Sequence, residues 1–340
     1  MRATNVLRPL MLLLITLLAA SLTTPAQGEE VTIAYSSPVS LSWAPLEIAT
    51  LNGYYKDAGL QVKEVRMKGS PLAMAAVLAG NAQFGANSVP STIQVFEKGE
   101  KPLNIALFQN TMTIEIVMST EEAKERGITA ASPLAARVAA LKGLRVGISS
   151  RGGVPDLFVS YALGSQGLNP ERDVTKVPLG TPEANIAALR RGDIKAFAHA
   201  LPNTMVPVVE GFGATLISAP LGDLKALWPF DYGSLHTTVA YAKDHADITR
   251  KVAGAVRRAN EFIKSHQVDE LFPLFQKRFS KTPEKVLRLS VERIIAATSP
   301  DGKFSPEGMR NAAKFLLEGK KIKRMLTDEE LQSLYSNDYL

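Results

Sequence analysis

Gly69-Ser70-Pro71-Leu72-Ala73 opens an alanine-rich run that closes at Gly80-Asn81 and gives way to an apolar stretch around Phe84. Gly180-Thr181-Pro182-Glu183-Ala184 opens a second such run, which closes at Gly192-Asp193 ahead of Phe197. Upstream of each stands a Gly-Leu pair, Gly59-Leu60 and Gly167-Leu168, leading into a Val-containing segment with strand character. The shared order is strand, Gly, Ser or Thr, Pro, helix, Gly, strand. Ser and Thr cap helix N-termini, Pro suits the first helical turn because its missing N–H would be unpaired there anyway, and Gly closes a helix in the left-handed conformation. Two such units in one chain predict two α/β lobes facing each other, and small ligands commonly bind in the cleft between lobes.

Outward from the repeat, the same alternation continues. Strands are expected at 31–35, 61–65, 83–86 and 103–108, with a helix at 44–51, a second helix capped by Ser70, and a third carrying 92–97. A strand at 113–118 should leave the first lobe. Strands at 144–148, 174–177, 196–197 and 214–217 alternate with helices at 155–163 and 182–191, and a strand at 237–242 returns. Short alternation of this kind argues for βαβ units and a mainly parallel sheet. After Asp244 no strand is expected. Helix starts are marked by Asp247, Thr282-Pro283, Ser305-Pro306-Glu307 and Thr327-Asp328-Glu329-Glu330, the last a capping box. The fold class is therefore α/β, with lobe I at 29–110 plus 240–340, lobe II at 111–239, two hinge strands near 110–118 and 236–242, and a helical C-terminal segment that braces lobe I.

The ends and the composition narrow the function. Residues 1–28 have a basic start (Arg2, Arg8), an apolar core from Leu10 to Ala20 and a small-x-small site at Ala26-Gln27-Gly28, which reads as a secretory signal peptide. The apolar run is shorter than the roughly 20 residues that a membrane span needs. The whole chain holds 39 Lys and Arg against 33 Asp and Glu, a formal net charge of +6. Two of those cations and none of the acids fall in the leader, so the exported remainder has 37 against 33, or +4. This dispersed excess does not argue for nucleic acid. The cluster Lys320-Lys321-Ile322-Lys323-Arg324 reads as a solvated turn. There is no Cys, which excludes disulfides, thiolate nucleophiles and Cys-ligated metal centres.

Ligands of open α/β sheets bind beyond the carboxyl ends of the strands. Those ends carry Ser40, Ser42 and Trp43, Gly69 and Ser70, Asn87 and Ser88, Gln109, Ser149 to Gly153, and His199 to Asn203. Ser, Gly, Asn and aromatic residues dominate, and paired acid–base groups are few. Ser149-Ser150-Arg151-Gly152-Gly153 is the sharpest of these stretches. Its glycines admit a ligand close to the backbone, the following helix N-terminus favours an anion, and Arg151 can fork onto one. The competing reading is a Gly-rich turn with an exposed Arg151 held by Asp156. Trp43 either stacks on a planar ligand group or packs in the core, and His199 either reaches the cleft or sits at its rim. The four histidines lack HxxxH or HExxH spacing, and no GxSxG, Walker A or GxGxxG pattern follows a strand. No metal and no cofactor is expected.

Ser42-Trp43-Ala44-Pro45, Asn52-Gly53-Tyr54-Tyr55 with Gly59-Leu60, Gly80-Asn81 with Asn87-Ser88, Leu141-Lys142-Gly143-Leu144-Arg145-Val146-Gly147 and Gly192-Asp193-Ile194-Lys195-Ala196-Phe197 resemble nitrate/sulfonate/taurine-type solute-binding proteins of ABC importers. The resemblance runs over nearly the whole exported chain. It implies the two-lobed periplasmic binding protein type II fold, a periplasmic monomer without catalytic activity, a small and usually anionic or polar solute, and an inner-membrane permease as partner. It carries cleft roles to Ser42, Trp43, Ser70, Asn87 and Ser88, and also to Arg151, Gly152 and His199; Gly69 and Gly153 complete the candidate set by position. Ala198-His199-Ala200-Leu201-Pro202-Asn203 departs from the Trp- and Asp-containing versions of sulfonate binders. That family also resembles thiamine-pyrimidine synthases, whose Cys-rich iron motif has no counterpart in a chain without Cys. Two rival readings stand: an enzyme on the same scaffold, of dehydratase or lyase type, marked by a perturbed acid–base pair; and a periplasmic sensor, marked by a receptor in place of a permease.

Overall fold

The computed structural model describes residues 28–37 and 40–340; the signal-peptide reading lies outside the described residues up to position 27. The strands are β1 (Glu29–Tyr35), β2 (Leu60–Arg66), β3 (Phe84–Ser88), β4 (Pro102–Leu107), β5 (Ile114–Ser119), β6 (Arg145–Ile148), β7 (Thr175–Pro178), β8 (Ala196–Ala200), β9 (Gly213–Ser218) and β10 (Gly233–Thr238). They form two five-stranded sheets, ordered β2-β1-β3-β10-β4 and β7-β6-β8-β5-β9.

The two orders are one plan used twice. β1 and β6 sit second, each parallel to both neighbours. The fourth strand of each sheet comes from the other half of the chain and runs antiparallel: β10 in the first sheet, β5 in the second. Each crossing strand also carries a register shift against its outer neighbour, at Leu235/His236 in β10 and at Ile116/Val117 in β5. β5 overlaps the hinge strand expected near 110–118, and β10 overlaps the one expected near 236–242 only as far as Thr238.

The helices connecting the first sheet are α1 (Ala44–Leu51), α2 (Tyr54–Asp57), α3 (Ser70–Leu78) and α4 (Val89–Phe96). Those of the second are α5 (Thr120–Glu125), α6 (Leu134–Ala139), α7 (Val154–Ser165), α8 (Pro182–Arg191) and α9 (Met205–Val209). The repeated grammar falls on α3-β3 and α8-β8. Thr181 caps α8 as expected, accepting from the Ala184 N–H at 3.3 Å. Ser70 does not cap α3: Gly69, at φ 126, turns the chain one residue early, and Ser70 becomes the first helical residue. The strand expected at 237–242 likewise stops at Thr238, whose hydroxyl accepts from the Tyr241 N–H at 3.1 Å and starts α10 (Val239–Asp244).

The C-terminal segment holds α11 (Ala246–Ser265), α12 (Val268–Arg278), α13 (Glu284–Ala297), α14 (Pro306–Glu318) and α15 (Asp328–Gln332). The amphipathic α11 buries Val252, Val256 and Ile263 against Leu46 and Ile48 of α1 and the first sheet, joined by Phe275 and Val291. Helix α14 does something else. Phe315 and Leu316 share one core with Val89 and Ile93 of α4 and with Phe158 and Ala162 of α7. It therefore wedges between a helix of the first sheet and a helix of the second. The capping box at α15 is present as read, with Thr327 and Glu330 each bonding the other's backbone N–H. No helix among the described residues is long and apolar enough to cross a membrane.

Candidate functional site

The carboxyl ends of β3 and β6 open into α4 and α7, and the turn after β2 opens into α3. Their N-terminal turns meet around one cavity of about 560 Å³. The first sheet's helices give it Gly69, Ser70 and Met74 from the start of α3, and Pro90, Ser91 and Gln94 from α4, with Lys98 just beyond. Ser149 to Gly153 and Leu157 form the opposite wall, and Leu316 of α14 closes one side. Unpaired amides at helix starts give each of these turns a positive end. Lys98 and Arg151 add two cations, and the lining contains no carboxylate and no histidine. Met74, Val95, Leu157 and Leu316 make part of the surface apolar.

Five of the candidate residues line this cavity: Gly69, Ser70, Arg151, Gly152 and Gly153. Ser88 stands one bond behind it, its hydroxyl 2.9 Å from that of Ser91. Ser42, Trp43, Asn87 and His199 are not part of the lining. Ser42 is buried with its hydroxyl 2.8 Å from that of Thr113, across the link between the sheets. Trp43 is buried, meets Phe108 edge-on with ring centroids 6.1 Å apart and donates its indole N–H to the Ser37 hydroxyl at 2.8 Å. Asn87, at the end of β3, is fully buried, and neither its amide oxygen nor its amide nitrogen has a protein partner. The His199 Nδ1 accepts the Ala200 N–H at 2.9 Å, and burial holds its pKa below the usual imidazole value.

Arg151 is not tied up by Asp156. Its guanidinium donates to the Lys176 carbonyl at 3.3 Å and lies 3.7 Å from Glu171, with its side chain 60% exposed. Asp156 instead accepts the Gly152 N–H at 2.6 Å and pairs with the buried Lys176 at 2.9 Å, which fixes the loop geometry. The basic cluster at 320–324 is not simply a solvated turn. Arg324 pairs with Glu330 at 2.6 Å, but Lys320 and Lys321 line a second cavity of about 590 Å³ that shares Arg151, Gly152 and Leu157 with the first.

Sequence reading missed Ser91, Gln94 and Lys98. They follow the Asn87-Ser88 strand end at the spacing of one helix face, and that spacing was the available signal. Gln109, expected at a strand end, ties the end of β4 to the turn before α1. Gln109 is fully buried, donates to the Ser42 carbonyl at 2.8 Å and leaves its amide oxygen without a protein partner. Next to it, Asp231 precedes β10 and accepts the Ser305 N–H at the start of α14 at 3.0 Å; burial raises its pKa to about 7. Glu115 in β5 is raised by burial too, while the hydroxyls of Ser218 and Thr204 donate to it at 2.6 and 2.8 Å and oppose the rise. Among the described residues no cluster of three or more His, Asp or Glu could hold a metal ion.

The fold and the chain both have known relatives. The model of the NMT1-like family matches residues 24–271. The protein YtlA of Bacillus subtilis (strain 168) is 23% identical over 278 residues, covering 82% of this chain and 78% of its own length. The periplasmic aliphatic sulphonate binding protein SsuA from Escherichia coli superposes with a TM-score of 0.68 at 17% identity, over 92% of this chain and 99% of that one. The periplasmic nitrate-binding protein NrtA from Synechocystis PCC 6803 gives a TM-score of 0.68 at 15% identity, over 91% and 86%. At such identities the structural likeness establishes the shared fold. With the family model spanning most of the sequence, and with two matched sheets exchanging their fourth strands, the chain belongs to the NMT1-like family and has the two-lobed fold of the periplasmic binding proteins.

Proposed function

We propose that this protein is the exported solute-binding component of an ABC importer. It captures one small organic anion between its lobes and presents the closed form to an inner-membrane permease. In this reading lobe I comprises 29–110 and 233–340 and lobe II 111–232, the return point lying before the expected 240 because β10 belongs to the first sheet, and no bond is made or broken. The observation that carries it is the inter-sheet cavity: two cations, three helix starts and no carboxylate or histidine in the lining. A site so lined favours negative charge and offers no acid–base pair for chemistry. The apolar side formed by Met74, Val95, Leu157 and Leu316 suits a solute with a carbon skeleton. Closure follows because walls from both lobes touch the same ligand, so that the ligand stabilises the form in which they are together. Micromolar affinity would need about −8 kcal/mol, within reach of one desolvated anion held by charge-assisted hydrogen bonds plus an apolar contact.

The test is isothermal calorimetry on ligand-stripped protein with ethanesulfonate, taurine, butyrate, benzoate and nitrate. Binding of an organic anion, with the neutral amide or alcohol analogue silent, is the expected result. No binding by any of the five would overturn the proposal, and product formation on prolonged incubation would favour an enzyme.

A further inference from the structure

The turn that ends α14 is built in an unusual way. The Lys320 N–H donates to the Leu317 carbonyl at 2.9 Å and the Lys321 N–H to the Leu316 carbonyl at 2.8 Å, a Schellman closure. Glycine normally takes the left-handed place in such a closure. Here Lys320 takes it, at φ 54, a conformation that residues with a Cβ enter rarely. Gly319 sits one residue early because its own place is taken up by packing: a Cβ there would come 2.7 Å from Leu157 Cδ2.

The result is that Lys321 lies across Gly152. A Cβ at position 152 would overlap the Lys321 Nζ and fall 2.8 Å from its Cε, and Gly152 itself stands at φ 73. Gly152 is the wall common to the inter-lobe cavity and the second cavity, and Arg151 belongs to both. Lys321 is half-buried, yet its ammonium makes no hydrogen bond or ion pair with any described residue. The nearby acids are already engaged: Asp156 with Lys176 and Gly152, Glu171 with Lys176, and Glu318 with Lys314. A partly desolvated charge without a counter-charge is costly in a finished structure. Asp156, Glu171 and Glu318 line the second cavity with Lys321, and with each bound to another cation the Lys321 ammonium is left available to an incoming anion.

We propose that Lys321 is a ligand-binding residue. From the C-terminal segment, across the Gly152 wall, it supplies a further side-chain cation, besides Arg151 and Lys98, to the anionic group of the solute at the Ser149–Gly153 loop. This deepens, and rests on, the solute-binding reading given above. It narrows the solute to one whose head has two or more anionic oxygens, a carboxylate, sulfonate or phosphonate, because two cations approach it from different sides of Gly152. Since α14 packs on both α4 and α7, a solute held by Lys321 also ties the C-terminal segment to lobe closure.

Calorimetry with ethanesulfonate, butyrate, methylphosphonate and nitrate tests this on wild-type protein and on Lys321→Gln, Lys321→Arg and Lys323→Gln. For whichever probe the wild type binds, Lys321→Gln should weaken binding roughly tenfold or more, as for a lost hydrogen bond to a charged group. Lys321→Arg should recover most of the loss, and Lys323→Gln should leave affinity unchanged. A second readout needs no substitution: acetylation of Lys321 in the wild type, followed by mass spectrometry, should slow at saturating probe while that of Lys323 does not. If the wild type binds a probe and Lys321 is neither protected nor needed, the inference falls and the cavity reading stands. If the wild type binds none of these probes and neither taurine nor benzoate, the solute-binding reading falls and takes this inference with it.

Discussion

Replacing Asp231 by Asn should make the protein more stable at pH 8 and leave it nearly unchanged at pH 4. Asp231 is 1% exposed, sits where the chain enters β10, and accepts the Ser305 N–H at 3.0 Å. Burial raises its pKa from 3.8 to about 7, and the bonds from Ser305 pull the other way. An acid whose folded-state pKa is raised contributes most stability below its unfolded pKa and loses that contribution as pH rises through the folded value. The window is therefore about pH 4 to 7. A difference of about three pKa units corresponds to about 4 kcal/mol at full ionisation, which is a ceiling because relaxation around the carboxylate reduces it. Asn keeps an oxygen for the Ser305 N–H and never ionises, so the gap between variant and wild type should open across this window and stay level above it. Guanidinium unfolding at pH 4, 6 and 8 measures it, and other buried carboxylates such as Glu115 cancel in the difference. Equal stability of the two proteins at pH 8 would refute the reasoning, and would mean that the α14 start already compensates the charge.

Two further outcomes follow from the packing. Phe315→Ala should cost about 3–5 kcal/mol, because the ring is buried between α4 and α7 in one shared core; chemical denaturation checks this, and a loss below about 1 kcal/mol would mean that α14 is only loosely seated. Thr327→Ala removes half of the capping box at α15 and should lower stability by about 1 kcal/mol, with ligand affinity unaffected when measured in the same preparation.

Why some of this was legible in the sequence is a matter of range. The duplicated Gly, Ser/Thr, Pro, Gly punctuation acts through local backbone preferences, and it located α3-β3 and α8-β8 in the right places. The Ser149–Gly153 loop was legible because a Gly-rich turn between strand and helix is itself a local feature. The differences are of two kinds. The Ser70 cap and the strand expected at 237–242 are displaced: Gly69 takes the cap position and starts α3 one residue early, and Thr238 caps α10 and so ends β10. Asn87 and His199 fall in the last residues of β3 and β8, and Ser42 and Trp43 in the turn into α1, but position along the chain does not say which way a side chain faces, and these four lie outside the cavity lining. Lys321 and Leu316 carry no local signal at all. They reach Gly152 and Leu157 because α14 returns from far along the chain, and the basic run at 320–324 read by itself is only a charged turn.

The most direct measurement of the central claim is a titration of Arg151→Glu beside wild type, with whichever organic anion the wild type binds. The charge reversal stands on an exposed side chain at the cavity wall, so the fold should survive while a repulsive charge replaces an attractive one. Affinity should fall by roughly a hundredfold or more, in line with the cost of placing like charges together at a binding site. Retention of affinity within about threefold, a difference under about 1 kcal/mol, would place the bound anion somewhere other than between the lobes and contradict the account.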